Sequence, residues 1–112
     1  MISYVKVGTL DELQPHGQFS RWVDDHDILV YELNGTIKAL SNICPHFGGP
    51  VGFHKMRDGR FTCLWHNFQY SADDGACLYP ENMTGLRLRE YKVKIERQDI
   101  LVQLVEVPGV VE

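Results

Sequence analysis

The sequence predicts an all-β domain, an antiparallel sandwich or small barrel. Three observations carry that expectation. Apolar runs are short and alternate with polar residues, as where Tyr91, Val93 and Ile95 interleave with Lys92, Lys94 and Glu96. Turn-forming clusters punctuate them at close intervals, and Asn34-Gly35 is the strongest, because a two-residue hairpin turn needs positive φ at both central positions. Only Thr9-Leu10-Asp11-Glu12 carries a helix start, with capping-box spacing from Thr9 to Glu12. Short strands of this kind bury their apolar faces by packing sheet on sheet or by closing into a barrel.

Taken in order, Ile2 to Val7 reads as strand and one helical turn follows through Leu13, ended by Pro15 and Gly17. Gln18 to Val23 is the next strand, Asp24 to Asp27 a polar turn, and Ile28 to Leu33 and Thr36 to Leu40 the arms of the Asn34-Gly35 hairpin. Phe47-Gly48-Gly49-Pro50-Val51-Gly52 is irregular, and its glycines let backbone curl round a bound object. Arg57-Asp58-Gly59-Arg60 and Asp73-Asp74-Gly75 are turns, with Phe68 to Tyr70 and Ala76 to Tyr79 as short strands. Tyr91 to Glu96 is a half-buried strand, turned by Gln98-Asp99 into Ile100 to Val105. A single domain over 1–112 is expected, with a loosely held tail from about 108.

Composition narrows the function. The chain is 44% hydrophobic and 23% charged, an ordinary globular balance. Its net charge of −4 gives no basic footprint for nucleic acid, and suits a basic patch on a protein partner. No apolar run approaches the roughly 18 residues of a membrane span, and the N-terminus lacks the apolar core of a signal peptide. A cytoplasmic protein is the expectation. Three cysteines, an odd number, make no disulfide scaffold.

Two of those cysteines stand in short loops with histidines: Cys44-Pro45-His46 and Cys63-Leu64-Trp65-His66, separated by sixteen residues. Each loop offers a thiolate and an imidazole, so a four-ligand metal site is expected. Zinc takes such a set, but its common spacing pairs Cys with Cys and His with His. Mixed loops suit a binuclear centre in which one iron takes both thiolates and the other both imidazoles. Two ferric ions, two sulfides and two thiolates carry no net charge, so a single added electron leaves only one negative charge. Cys77 reads as a small buried hydrophobe, and His16, His26 and His54 as surface residues.

The pattern C-x-H, sixteen residues, C-x-x-H resembles the Rieske iron–sulfur motif. The likeness extends to Ala39-Leu40-Ser41-Asn42-Ile43 before the first loop, Gly48-Gly49-Pro50 after it, and an aromatic strand and Asp-Gly turn after the second. The resemblance implies one [2Fe–2S] cluster held by Cys44, His46, Cys63 and His66, in a Rieske-type β-sandwich or barrel with both cluster-binding loops at one tip. In the respiratory and photosynthetic members a disulfide joins the loops; its cysteines would fall at Gly49 and Trp65 here. Their serine that bonds a cluster sulfur falls at Phe68, while their tyrosine has a counterpart in Tyr70. These differences imply a low potential, roughly −150 mV. Asn67 replaces the usual glycine after the second histidine and tolerates the same left-handed turn, and Leu64 stands for a frequent proline. Phe47, Trp65 and Pro80 are expected to cover the cluster.

No other cofactor motif accompanies the loops, so catalysis within the chain is not expected. The resemblance implies a ferredoxin that passes single electrons from a flavin-dependent NAD(P)H reductase to a terminal oxygenase, docking transiently at the His46/His66 tip. The small subunit of an assimilatory, nitrite-type reductase is the alternative, and a zinc-stabilised binding module a third.

Overall fold

The computed structural model describes residues 4–45, 49–64, 67–81, 83 and 85–104. Among them are ten strands and one helical turn. The strands are β1 (Tyr4–Thr9), β2 (Gln18–Val23), β3 (His26–Leu33), β4 (Thr36–Ser41), β5 (Arg60–Thr62), β6 (Gln69–Ser71), β7 (Cys77–Tyr79), β8 (Glu90–Tyr91), β9 (Val93–Glu96) and β10 (Asp99–Gln103), and α1 is Leu10–Leu13. They form three antiparallel sheets, ordered β1-β10-β9, β2-β3-β4-β8 and β5-β6-β7.

Strand β3 explains the layering. Side chains alternate across a strand, and Ile28, Leu29, Val30 and Tyr31 are all fully buried, so both faces of β3 are covered. Ile28 and Val30 pack with Val7, Ile100 and Val102 of the β1-β10-β9 sheet. Leu29 and Tyr31 pack with Phe61 and Tyr70 of the β5-β6-β7 sheet, together with Cys44 and Cys63. The four-stranded sheet is therefore the middle layer, and the two motif cysteines belong to the core on one side of it.

Local chemistry sets the turns. Thr9 caps α1 by accepting from the Glu12 N–H at 3.3 Å while its own N–H donates to Glu12 Oε1 at 2.9 Å. Asn34 and Gly35 take φ of 51° and 85°, the conformation that a tight hairpin between β3 and β4 requires. Three readings need correction. The stretch read as one strand from Tyr91 is two: Tyr91 pairs with Ala39 of β4, whereas Val93 to Glu96 pair with β10, and the chain changes sheets at Lys92. Ile95, expected inward by alternation, is 40% exposed on the outer strand β9. The Asp24–Asp27 turn is shorter than read, because β3 already begins at His26.

Candidate metal centre

The first loop leaves β4 through a closed neck. Asn42 is 5% exposed and uses every polar group it has. Its N–H donates to Asp27 O at 2.8 Å and its C=O accepts from Val51 at 3.0 Å. Its side chain accepts from the Gly52 N–H at 2.7 Å and donates to Asp27 Oδ2 at 3.0 Å. Inside that neck Ile43 bridges to Pro50, and the Cys44 N–H donates to Gly49 O at 2.8 Å. The second loop joins β5 to β6 on a smaller frame. The Cys63 N–H donates to Phe68 O at 2.7 Å, and Asn67 returns its N–H to Cys63 O at 3.1 Å from a φ of 57°, the left-handed turn expected of it.

Two cross-ties hold the loops to each other. The Leu64 N–H donates to Pro50 O at 3.2 Å. The Tyr70 hydroxyl, carried on β6 just beyond the second loop, lies 3.1 Å from Cys44 Sγ in the first. Burial first, then the bond to Cys44, pushes the Tyr70 phenol well above its ordinary range. It therefore keeps its proton, and beside a thiolate sulfur it is the only possible donor of the pair.

Cys44 and Cys63 are 1% and 0% exposed, and neither is in a disulfide. His46 and His66, with Phe47 and Trp65, lie outside the described residues. Among the described residues no group of three His, Cys, Asp or Glu side chains converges. The structure thus places half of the expected donor set: two thiols in one core cluster, on loops tied neck to neck.

The remaining candidates divide. His16 and His54 are exposed, as expected. His26 is not a plain surface residue, since it is half-buried with Nδ1 2.9 Å from the Tyr91 hydroxyl. Its neighbour Asp27, also half-buried, accepts from Asn42 Nδ2 at 3.0 Å. Cys77 is half-buried against the same core as the motif cysteines, its thiol directed at the carbonyls of Tyr79 and Pro80 at 3.5 and 3.9 Å. Burial, outweighing the Tyr79 hydrogen bond, pushes that thiol up. Pro80 is half-buried beside it. The residue that sequence reasoning missed is Asn42. An Asn closing an apolar strand was the one available signal.

An all-β frame that carries two free, buried cysteines on cross-tied loops is the class of domain that the geometry defines. The chain belongs to the Rieske [2Fe–2S] domain family, which matches residues 3–94. The ferredoxin component of the alkene monooxygenase system of Xanthobacter autotrophicus is 29% identical over 90% of this chain and 81% of its own length. Human apoptosis-inducing factor 3 is 32% identical over 68% of this chain, a match that spans 12% of that larger protein. Among solved structures, the ferredoxin of carbazole 1,9a-dioxygenase from Nocardioides aromaticivorans superposes with a TM-score of 0.76 at 25% identity, covering 89% of this chain and 96% of that one.

The cofactor of this family is a [2Fe–2S] cluster, which sets the zinc module aside. The residues present fit it. A buried cysteine without a metal is ordinarily an inert hydrophobe, yet here a buried phenol is aimed at one sulfur. No helix among the described residues is long and apolar enough to cross a membrane.

Proposed function

We propose that the chain acts as a one-electron carrier between a flavin-dependent NAD(P)H reductase and a terminal oxygenase, with 1–112 working as a single cytoplasmic domain. Cys44 and Cys63 hold one iron, and His46 and His66 the other. The observation that carries the reading is the pair of buried cysteines on cross-tied loops, with the Tyr70 hydroxyl at 3.1 Å from Cys44 Sγ. Likeness to a ferredoxin component over 90% of the chain favours a carrier over a catalytic subunit.

The cluster supplies a site that accepts and releases a single electron. The chain's own residues fix the conditions. Asn42 and the Ile43–Pro50 bridge hold the neck of the first loop, so that Cys44 is presented from a constrained backbone. Tyr70 donates to the Cys44 sulfur and offsets part of the charge that reduction adds. Phe68, 9% exposed, occupies the place of the second hydroxyl donor and offers no hydroxyl. One donor in place of two puts the potential at the low end, roughly −150 mV. Partners dock at the His46/His66 tip.

The test is the visible and electron paramagnetic resonance spectra of anaerobically purified protein before and after dithionite. A brown protein that bleaches on one-electron reduction, with two irons and two sulfides per chain, is the expected result. A colourless protein holding zinc defeats the proposal. Replacement of His66 by Cys is expected to shift or destabilise the chromophore, and an unchanged spectrum and potential would remove His66 from the ligand set.

A further inference from the structure

The connector that runs from the first loop to the second, 53–60, differs from the rest of the chain in charge. It carries Lys55, Arg57 and Arg60 against Asp58, whereas the whole sequence has eleven Lys and Arg against fifteen Asp and Glu. These three cations are exposed. Of the six exposed cations elsewhere, four meet carboxylates, Lys6 with Asp99, Arg21 with Glu12, Arg87 with Asp74 and Lys94 with Glu96, at 2.7 to 3.5 Å, and the other two, Lys92 and Arg97, are not clustered with an exposed aromatic. Among the described residues no carboxylate pairs with Lys55, Arg57 or Arg60; Arg60 reaches only the neutral Gln69 Oε1, at 2.8 Å.

The same connector holds a large exposed aromatic. Phe53 is 64% exposed and meets the His54 ring edge-on at 5.1 Å. Its backbone is fixed by one side chain. Gln18 of β2 donates to Gly52 O and His54 O, both at 3.2 Å, and accepts the Met56 N–H at 2.9 Å. An exposed aromatic already held in place loses little freedom when a partner covers it. A hollow of about 260 Å³ bounded by His16, Phe53 and Lys55 adjoins it, as does one of about 380 Å³ bounded by Arg57, Asp58, Arg60, Thr62 and Gln69, in which two cations outnumber the one carboxylate. Thr62 precedes Cys63, and Gly52 is held by Asn42 at the neck of the first loop, so the surface abuts both ligand loops.

We infer that 53–60 is a docking surface for an acidic face of a protein electron partner, with Phe53 as apolar anchor and Lys55, Arg57 and Arg60 setting its orientation. The inference rests on the carrier reading and reverses the charge sense that the net −4 suggests for docking. At about 0.1 M salt, charges more than about 10 Å apart are largely screened, so a partner at this surface meets the local cations and not the chain's net charge. A compact acidic protein face fits that geometry. A long polyanion would extend past the patch into net repulsion, which disfavours nucleic acid.

Two measurements on the cluster-loaded protein test it. In the first, isotopically labelled oxidised protein is titrated with a synthetic deca-aspartate peptide at about 0.1 M salt. Amide shifts concentrated in 53–60, and abolished in the K55E/R57E/R60E variant, are expected. Shifts absent or centred elsewhere overturn the inference, and tighter binding of a single-stranded RNA oligonucleotide than of the peptide overturns the choice of partner. In the second, dithionite-reduced protein is reoxidised by ferricyanide, one electron passing from the cluster to give ferrocyanide, and separately by hexaamminecobalt(III). Raising salt through the range that shortens the screening length is expected to slow the anion by about threefold or more and to speed the cation, with both trends inverted in the triple variant. A ferricyanide rate that rises with salt in the wild type overturns the inference. A protein with no dithionite-bleachable chromophore defeats the carrier reading instead, and the peptide titration then judges the surface by itself.

Discussion

Replacing Tyr70 with Phe isolates the hydroxyl placed 3.1 Å from Cys44 Sγ. A neutral hydrogen bond contributes about 1 kcal/mol net, and one to a charged acceptor about 1.5–3 kcal/mol. Reduction adds one negative charge shared over the cluster and its sulfurs, so the bond strengthens by about 1 kcal/mol between the two oxidation states. At about 1.4 kcal/mol per tenfold change and 59 mV per tenfold for one electron, the Y70F potential should fall by roughly 40 mV. Because burial holds the phenol protonated well above its ordinary range, the shift should be the same at every pH from about 6 to 9. Protein-film voltammetry measures it. Tyr31→Phe is the control. Tyr31 is as buried as Tyr70, but its hydroxyl donates to the Ala72 carbonyl and not to sulfur. That variant should lose comparable stability with no change of potential. An unchanged or raised potential in Y70F, or equal shifts in both variants, would refute the reasoning.

Further outcomes follow from the neck and the cap. Asn42→Ala strips partners from the Gly52 N–H and from Asp27 Oδ2 and should cost about 1–3 kcal/mol, a melting temperature lower by roughly 5–15 °C in calorimetry. Gly52→Ala would set a Cβ 2.5 Å from the Cδ1 of Leu29, which is fully buried and has no room to swing away, so overpacking of about 1–3 kcal/mol is expected in denaturant unfolding. The Arg21 hydrogen bond, and then that from Thr9, draw the Glu12 carboxyl from an ordinary 4.5 down to about 2. A depressed carboxylate stabilises above its unfolded pKa and loses that contribution as pH falls through the folded value. Glu12→Gln should therefore flatten the decline in stability between about pH 4.5 and 2, and an acid titration with the wild-type slope would contradict the pairing.

What could be read from the sequence was local. Asn34-Gly35 and Thr9 to Glu12 each contain their whole physical cause within four residues, and both appear as expected. The cysteine and histidine spacing was local in the same way, and the family that it resembles is the one to which the chain belongs. The break at Lys92 was not, because alternation continues across it while the pairing partner changes from β4 to β10. Asn42 was hidden for a similar reason. Its side-chain partners stand 15 and 10 residues away, and nothing near position 42 announces them. His26 read as a turn residue until its contact with Tyr91, 65 residues on, drew it half inside.

The tie between the loops has a consequence for handling and for lifetime. Leu64 N–H to Pro50 O is an amide contact beside the place where related proteins of the respiratory and photosynthetic complexes have a covalent bridge. Such a latch has no redox state of its own. Reductants that would cleave a disulfide leave it shut. Loading the apoprotein would therefore need no disulfide to be formed, and a reductive titration would meet no disulfide among the three cysteines.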